Sequence, residues 1–137
     1  MRLFVDSSGW IALFDRDDRH HSRAAVAFAS LEGQSVRFIT TDYVFDEALT
    51  FLRVRTNHTN AVRFGQWLLQ ARTVEWTRIE PAIWDEAWQM FQQYDDKEWA
   101  FTDCTSFVVM QRQQVYQAFT FDHHFAQAGF QLWPKQT

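Results

Sequence analysis

RLFVDSSGWIALF, residues 2–14, sets a short apolar strand directly against the start of an apolar helix. Leu3, Phe4 and Val5 make a run short enough for a buried strand, with a hydrophilic break after it. Asp6, Ser7 and Ser8 are residue types whose side chains satisfy the unpaired N–H groups of a helix start. The same alternation recurs outward along the chain. SRAAVAFASL (22–31) reads as helix and VRFIT (36–40) as strand; DYVFDEALTFLRV (42–54) and NAVRFGQWLLQA (60–71) read as helices and TVEWTRI (73–79) as strand. PAIWDEAWQMFQQY (81–94) and TDCTSFVVMQRQ (102–113) are helical patterns, followed by the short strands QAFTF (117–121) and GFQLW (129–133). Strands separated by helices imply an α/β fold with a mainly parallel sheet and helices on its faces. Pro81 suits a first helical turn, Gly33 ends the second helix, and Gly129 separates a last short helix from the last strand.

At 137 residues the chain is expected to form a single domain, residues 1–137, with enough apolar material for a substantial core: 47% hydrophobic residues, including 14 Phe and 7 Trp. One cysteine, Cys104, excludes an internal disulfide framework and fits a reducing compartment, so a cytoplasmic location is expected. No window approaches the roughly 18 consecutive apolar residues of a membrane helix, and the first ten residues lack the flanks of a signal segment. A net charge of −4 argues against holding nucleic acid by bulk electrostatics, although a local basic face remains compatible with it. Arg outnumbers Lys eleven to two, and Arg53, Arg55, Arg63 and Arg112 fit either phosphate contacts or solvated helix faces.

Carboxylates stand at the element junctions. Asp6 follows the first strand, Asp103 falls in the first turn of the 102–113 helix with Thr102 as its expected cap, and Asp122 follows AFTF. In a parallel sheet the carboxyl ends of strands and the amino ends of helices share one edge, where such folds place ligands. Within TTDYVFDEALTFLRVRTN (40–57), Val44, Phe45, Ala48, Leu49 and Leu52 form the stripe expected to be buried. Asp46 lies on a polar flank with Asp42, Thr50, Arg53 and Asn57, whereas Glu47 aligns with Val44, Phe51 and Val54, against apolar surface where a carboxylate needs a cation or hydrogen bonds. Taken singly, each acid fits a helix cap or a half-exposed surface group. Taken together they would raise one another's pKa values unless a cation sat among them, and a hard divalent ion, Mg²⁺ or Mn²⁺, is the natural complement. Zinc is disfavoured, because the single Cys has no spaced partner.

FVDSSGWIALFD (4–15), TTDYVFDEALTFL (40–52), FTDCTSFVVM (101–110) and FTFDHHF (119–125), in this order, resemble the PIN-domain ribonucleases, especially the VapC-type toxins of prokaryotic toxin–antitoxin pairs. The resemblance runs from Met1 to about Trp133. It implies a three-layer α/β/α sandwich that hydrolyses RNA phosphodiesters with Mg²⁺ or Mn²⁺, typically leaving a 5′-phosphate and a 3′-hydroxyl. Asp6, Glu47 and Asp103 match the family's acidic triad and Asp122 its fourth acid; Ser7 and Thr102 match small polar positions near the ion. His124 stands where many members carry a further acid, which leaves open one resident ion or two. A cognate antitoxin covering the acidic cleft with a basic or apolar segment, and a homodimer through helices around residues 41–71, are implied as partners besides RNA.

The pairs His20–His21 and His123–His124 read as turn or surface residues, with His124 set apart by its position beside Asp122. Ile83, Trp84, Ala87, Trp88 and Phe91 follow helical spacing and read as core or dimer contact, while Trp10 and Trp99 are the candidates for base stacking. The polar stretch DDKEWA (95–100) is placed at the rim of the site. Two other functions fit the pattern less well. An inactive RNA- or protein-binding module would not need the acids, and a phosphohydrolase with Asp6 as nucleophile would want an acid where Ser8 stands.

Overall fold

The computed structural model describes residues 1–136. Five strands form one sheet: β1 (Arg2–Val5), β2 (Arg37–Thr41), β3 (Val74–Thr77), β4 (Gln117–Phe119) and β5 (Gln131–Trp133). Their order across the sheet is β3-β2-β1-β4-β5 and every pairing is parallel, with Phe4 opposite Ile39 on one side and Ala118 on the other. Seven helices connect them: α1 (Ser7–Phe14), α2 (His21–Ala29), α3 (Asp42–Arg55), α4 (His58–Gln70), α5 (Pro81–Gln93), α6 (Phe101–Gln113) and α7 (His124–Gln127).

Consecutive strand residues point to opposite faces, so a strand buried at every position is covered on both sides. Leu3 and Phe4 in β1 are both fully buried, as are Ala118 and Phe119 in β4. The packing partners differ by face: Phe4 meets Phe125 of α7, which in turn meets Phe107 of α6, whereas Phe119 meets Phe28 of α2. This is the three-layer arrangement expected from the sequence. Helix α6 runs through the interior, with residues 103 to 110 all buried.

Pro81 opens α5 and Gly129 separates α7 from β5 as expected, but α2 ends at Ala29 with Ser30 as its C-cap, so Gly33 belongs to the turn that follows and does not end the helix. Gly33 and Gly129 adopt φ of +78° and +96°, a region that residues with a side chain rarely enter. Gly9 answers to a different constraint. A Cβ there would lie 2.5 Å from the Phe119 carbonyl oxygen, so its absence lets the first turn of α1 close onto the end of β4.

Two readings change and one divides. Trp10 is fully buried against Phe64 and Trp67 with its Nε1–H donated to Thr40 Oγ1, and Trp99 is buried against Phe107 with its Nε1–H donated to Gln127 Oε1. Both are therefore core residues and not stacking platforms. Of the α5 residues, Ile83 and Ala87 are buried, but Trp84, Trp88 and Phe91 are exposed and gather around Phe101. In α3 the stripe Val44, Ala48 and Leu52 is buried against α1 and α4, yet Phe51 and Val54 are exposed. The surface beside Glu47 is thus open to solvent, because α3 is covered on that one stripe alone. Among the described residues, no helix is long and apolar enough to cross a membrane.

Candidate active site

Helices that follow a strand in a parallel sheet start at its carboxyl edge, and so do helices that lead into the next strand. That geometry puts Asp6 (after β1), the start of α3 (after β2), Asp122 (after β4) and the N-terminus of α6 (before β4) along one edge.

Asp6 is both cap and buried acid. It is the N-cap of α1 and 2% exposed, with Oδ2 accepting from the Ser8 N–H at 3.4 Å, Ser8 Oγ at 3.1 Å and Thr120 Oγ1 at 3.1 Å. Ser7 Oγ lies between Asp6 Oδ1 and Glu47 Oε1 and donates to the Glu47 carboxylate, which tethers the α3 acid to the strand edge. Burial first, then the charges of Asp103, Glu47 and Asp122 in that order, push the Asp6 carboxyl up to about 7. The other three acids named from the sequence are therefore close enough to act on Asp6 electrostatically.

Asp103 is buried at the third position of α6, where its Oδ2 accepts the Ala100 N–H at 3.0 Å. The cap of α6 is accordingly Ala100, braced by Asp103 itself. Thr102 is not the cap: it lies one residue inside the helix, half-buried, and its carbonyl accepts from Thr105 Oγ1. Burial raises the Asp103 pKa, and the Ala100 N–H and His124 oppose the rise. Asp122 Oδ1 accepts the His124 N–H at 2.9 Å. His124 Nδ1 stands 3.1 Å from Asp103 Oδ2 and 3.2 Å from Asp122 Oδ1. His124 Nδ1 is thus within hydrogen-bonding distance of both acids and links them. His123 is exposed, and with Asp122 and His124 it forms a set whose potential ligand atoms all lie within 4.8 Å of one another.

Two hydroxyls that the sequence reading did not assign to the site hold it together. Thr120 Oγ1 is fully buried, donates to Asp6, lies 3.0 Å from Ser8 Oγ and accepts the Asp122 N–H at 3.0 Å. Ser8 Oγ also accepts the Phe121 N–H at 2.9 Å. The signal was a polar side chain inside the apolar strand AFTF, two residues before an acid, where strand alternation directs it inward. In the stretch 95–100, the Ala100 N–H reaches this edge by its bond to Asp103 Oδ2.

The donor set suits a hard divalent ion. Asp103, Glu47 and Asp122 lie within electrostatic reach of Asp6, Asp6 and Asp103 are buried, and among the described residues neither Lys nor Arg is a hydrogen-bond partner of these carboxylates.

The PIN domain family profile matches residues 3–131. The chain is 32% identical over 128 residues to the 23S rRNA-specific endonuclease VapC20 of Mycobacterium tuberculosis, strain H37Rv, covering 93% of this chain and 95% of that protein. The crystal structure of M. tuberculosis VapC20, described as a sarcin–ricin loop cleaving toxin, superposes with a TM-score of 0.86 at 31% identity over 93% of this chain and 95% of that one. FitAcB from Neisseria gonorrhoeae shares the fold alone, with a TM-score of 0.63 at 14% identity over 96% of each chain. Profile, sequence and fold agree over nearly the whole length: the chain belongs to the PIN domain family.

Proposed function

We propose that this chain, working as one domain over residues 1–137, is a divalent-metal-dependent endoribonuclease and the toxin of a toxin–antitoxin pair. The observation that carries the reading is the buried Asp6 carboxyl, raised to about 7 by its burial and by three neighbouring acids, with no basic side chain among the described residues bonded to it. A structural cap gains nothing from such company; a metal ligand needs it. The similarity to an rRNA-specific endonuclease supports RNA as the substrate and a structured ribosomal RNA loop as its first candidate.

Asp6, Glu47, Asp103 and Asp122 would hold Mg²⁺ or Mn²⁺. Such an ion, when bound, activates water and offsets the charge that builds on the phosphate and the leaving oxygen. The protein's part is placement. Ser7 keeps Glu47 turned to Asp6, and Thr120 fixes Asp6 relative to Asp122. His124 Nδ1 lies within hydrogen-bonding distance of both Asp103 and Asp122 and ties α7 to the start of α6. Thr102 contributes the half-buried start of α6 beside Asp103. No protein nucleophile is required.

The test is RNA-end sequencing after brief expression of the parent and of Asp6→Asn in a host without antitoxin. New 5′-phosphate ends and growth arrest confined to the parent are expected. Equal ends and equal growth at equal expression would overturn the reading in favour of a binding module, a role that the presence of all four acids disfavours.

An antitoxin is the second partner, reaching the acidic edge with Arg, Lys or apolar side chains. A homodimer through α3 and α4 is supported by the exposed Phe51, Val54, Val62 and Leu69. Sedimentation at micromolar concentration tests it, and a monomer would refute it.

A further inference from the structure

The basic side chains of this acidic protein divide by what they meet. Arg2 and Arg37 pair with Glu75, Lys97 with Asp96 and Arg112 with Glu86. Arg19, Arg23 and Lys135 are exposed, and among the described residues no carboxylate pairs with them. They nevertheless stand beside the acids. Phe121 directly precedes Asp122, and its N–H donates to the Ser8 hydroxyl that also bonds Asp6, so its backbone is fixed to the acidic network. His20 lies flat on the Phe121 ring, with centroids 4.5 Å apart and 6° between the planes. The Arg23 guanidinium carbon sits 5.8 Å from the centroid of the same ring. Arg19 Nε donates to His20 Nε2 at 3.1 Å, and Arg23 Nη2 donates to the Lys135 carbonyl at 3.4 Å, just past the end of β5. Each guanidinium uses one N–H in the protein and keeps the rest.

The stack of His20 on Phe121 and the Lys135 carbonyl hold the two guanidinium groups beside the residue that leads into Asp122. The opposite flank has another character: Trp84, Trp88 and Phe91 gather there around Phe101, the acids Asp85, Asp95 and Asp96 are exposed, and the nearby cations Lys97 and Arg112 are already paired. A protein of net charge −4 binds a polyanion only where local cations meet its phosphates. Arg matches phosphate geometry better than Lys through its fork of donors.

We propose that Arg19 and Arg23, mounted on the His20–Phe121 stack, clamp backbone phosphates of the RNA next to the one that is cleaved, with Lys135 adding charge at the same flank. The proposal rests on the reading of the chain as an RNA-cleaving enzyme and assigns the side from which the strand crosses the site. These are positioning residues, so their removal should weaken binding and spare the chemical step.

The full-length protein is tested with a synthetic hairpin RNA carrying a sarcin–ricin loop. Binding is measured against salt in the Asp6→Asn background, and cleavage with Mg²⁺ in the otherwise unaltered protein. For Arg19→Ala/Arg23→Ala, affinity should fall about tenfold near 0.1 M salt, and the slope of log K against log salt should flatten by about 1.4, roughly 0.7 for each lost single-strand phosphate contact. KM should rise about tenfold with kcat within about twofold. Arg19→Lys/Arg23→Lys, which keeps the charge, should recover most of the slope. Arg72→Ala removes one such charge ahead of β3, at the opposite sheet edge, and should change none of these quantities. An unchanged salt slope in the double Ala variant, a loss confined to kcat, or an equal loss in Arg72→Ala would overturn the clamp while leaving RNA cleavage intact. A parent protein that neither binds nor cuts this hairpin or total RNA would overturn the underlying reading, and the clamp with it.

Discussion

Asp6→Asn should leave the enzyme inactive and make the metal-free protein more stable at pH 8. The Asp6 carboxyl ordinarily titrates near 3.8 and in the fold is pushed up to about 7 by burial and by Asp103, Glu47 and Asp122. The folded protein therefore binds this proton more tightly than the unfolded chain. Stability linked to Asp6 is fully present below about pH 4 and is lost as pH rises toward 7. Above that, the fold carries a buried charge that opposes it by up to about 4 kcal/mol, taking about 3 pKa units at 1.36 kcal/mol each. Asn removes the charge and keeps the cap: its oxygen can take the bonds from Ser8 and Thr120, and Asn caps helices as well as Asp does.

The assay is thermal unfolding in chelator at pH 4.5 and pH 8, with and without Mn²⁺. At pH 8 without metal, Asp6→Asn should melt on the order of 10 °C above the parent, at about 2–4 °C per kcal/mol for a chain of this size. At pH 4.5 the gap should shrink to about 1 kcal/mol, since the parent is then protonated in the fold. Saturating Mn²⁺ should raise the parent by about 2–3 kcal/mol at a hundredfold excess over its dissociation constant, and the variant by far less. A parent as stable as the variant at pH 8 in chelator, or the same gap at both pH values, would refute the charge-crowding argument.

Other substitutions probe the scaffold that gathers the acids. Gly9→Ala forces a Cβ within 2.5 Å of the Phe119 carbonyl oxygen and 2.9 Å of its ring, so it should destabilise the fold by about 1–3 kcal/mol in chemical denaturation and lower cleavage by moving Asp6 from Thr120. Thr120→Val preserves shape but leaves the Asp122 N–H without its acceptor and Asp6 without one donor. A loss of about 1–3 kcal/mol and a weaker metal response in the same melts are expected. Trp99→Phe removes the bond to Gln127 and part of a buried ring, which costs stability, but should keep cleavage within about twofold, because Trp99 packs the core; a large rise in KM would restore it as a stacking residue.

The fold was legible in the sequence because its signals are local. Apolar runs of four or five residues, separated by helical periods and punctuated by Pro81, Gly33 and Gly129, leave little choice but a parallel sheet covered on both faces. The acids were legible for the same reason: element ends are local, and a parallel sheet sends the relevant ends to one edge. What stayed hidden depends on contacts across the chain. Helical spacing places Glu47 beside Phe51 and Val54 but cannot say that α1 and α4 leave this flank uncovered. Trp10 and Trp99 lie near site residues in sequence, yet the need to bury large rings turned both inward, while Trp84 and Trp88, read as core or dimer contact, remain outside.

The hydroxyls show why the two readings of Asp6, as helix cap and as one of several clustered acids, were never true alternatives. The bonds from Ser8 that cap α1 hold the carboxylate at the sheet edge, where Thr120, 114 residues away, also reaches it and in turn fixes Asp122. Capping costs the site nothing, because a carboxylate has more lone pairs than one helix end can use. The same side chain can therefore serve as a helix cap and still be a carboxyl that burial and three neighbouring acids push up to about 7. A cap read from sequence predicts where a carboxylate sits; only its neighbours' charges tell whether it is there for the helix alone.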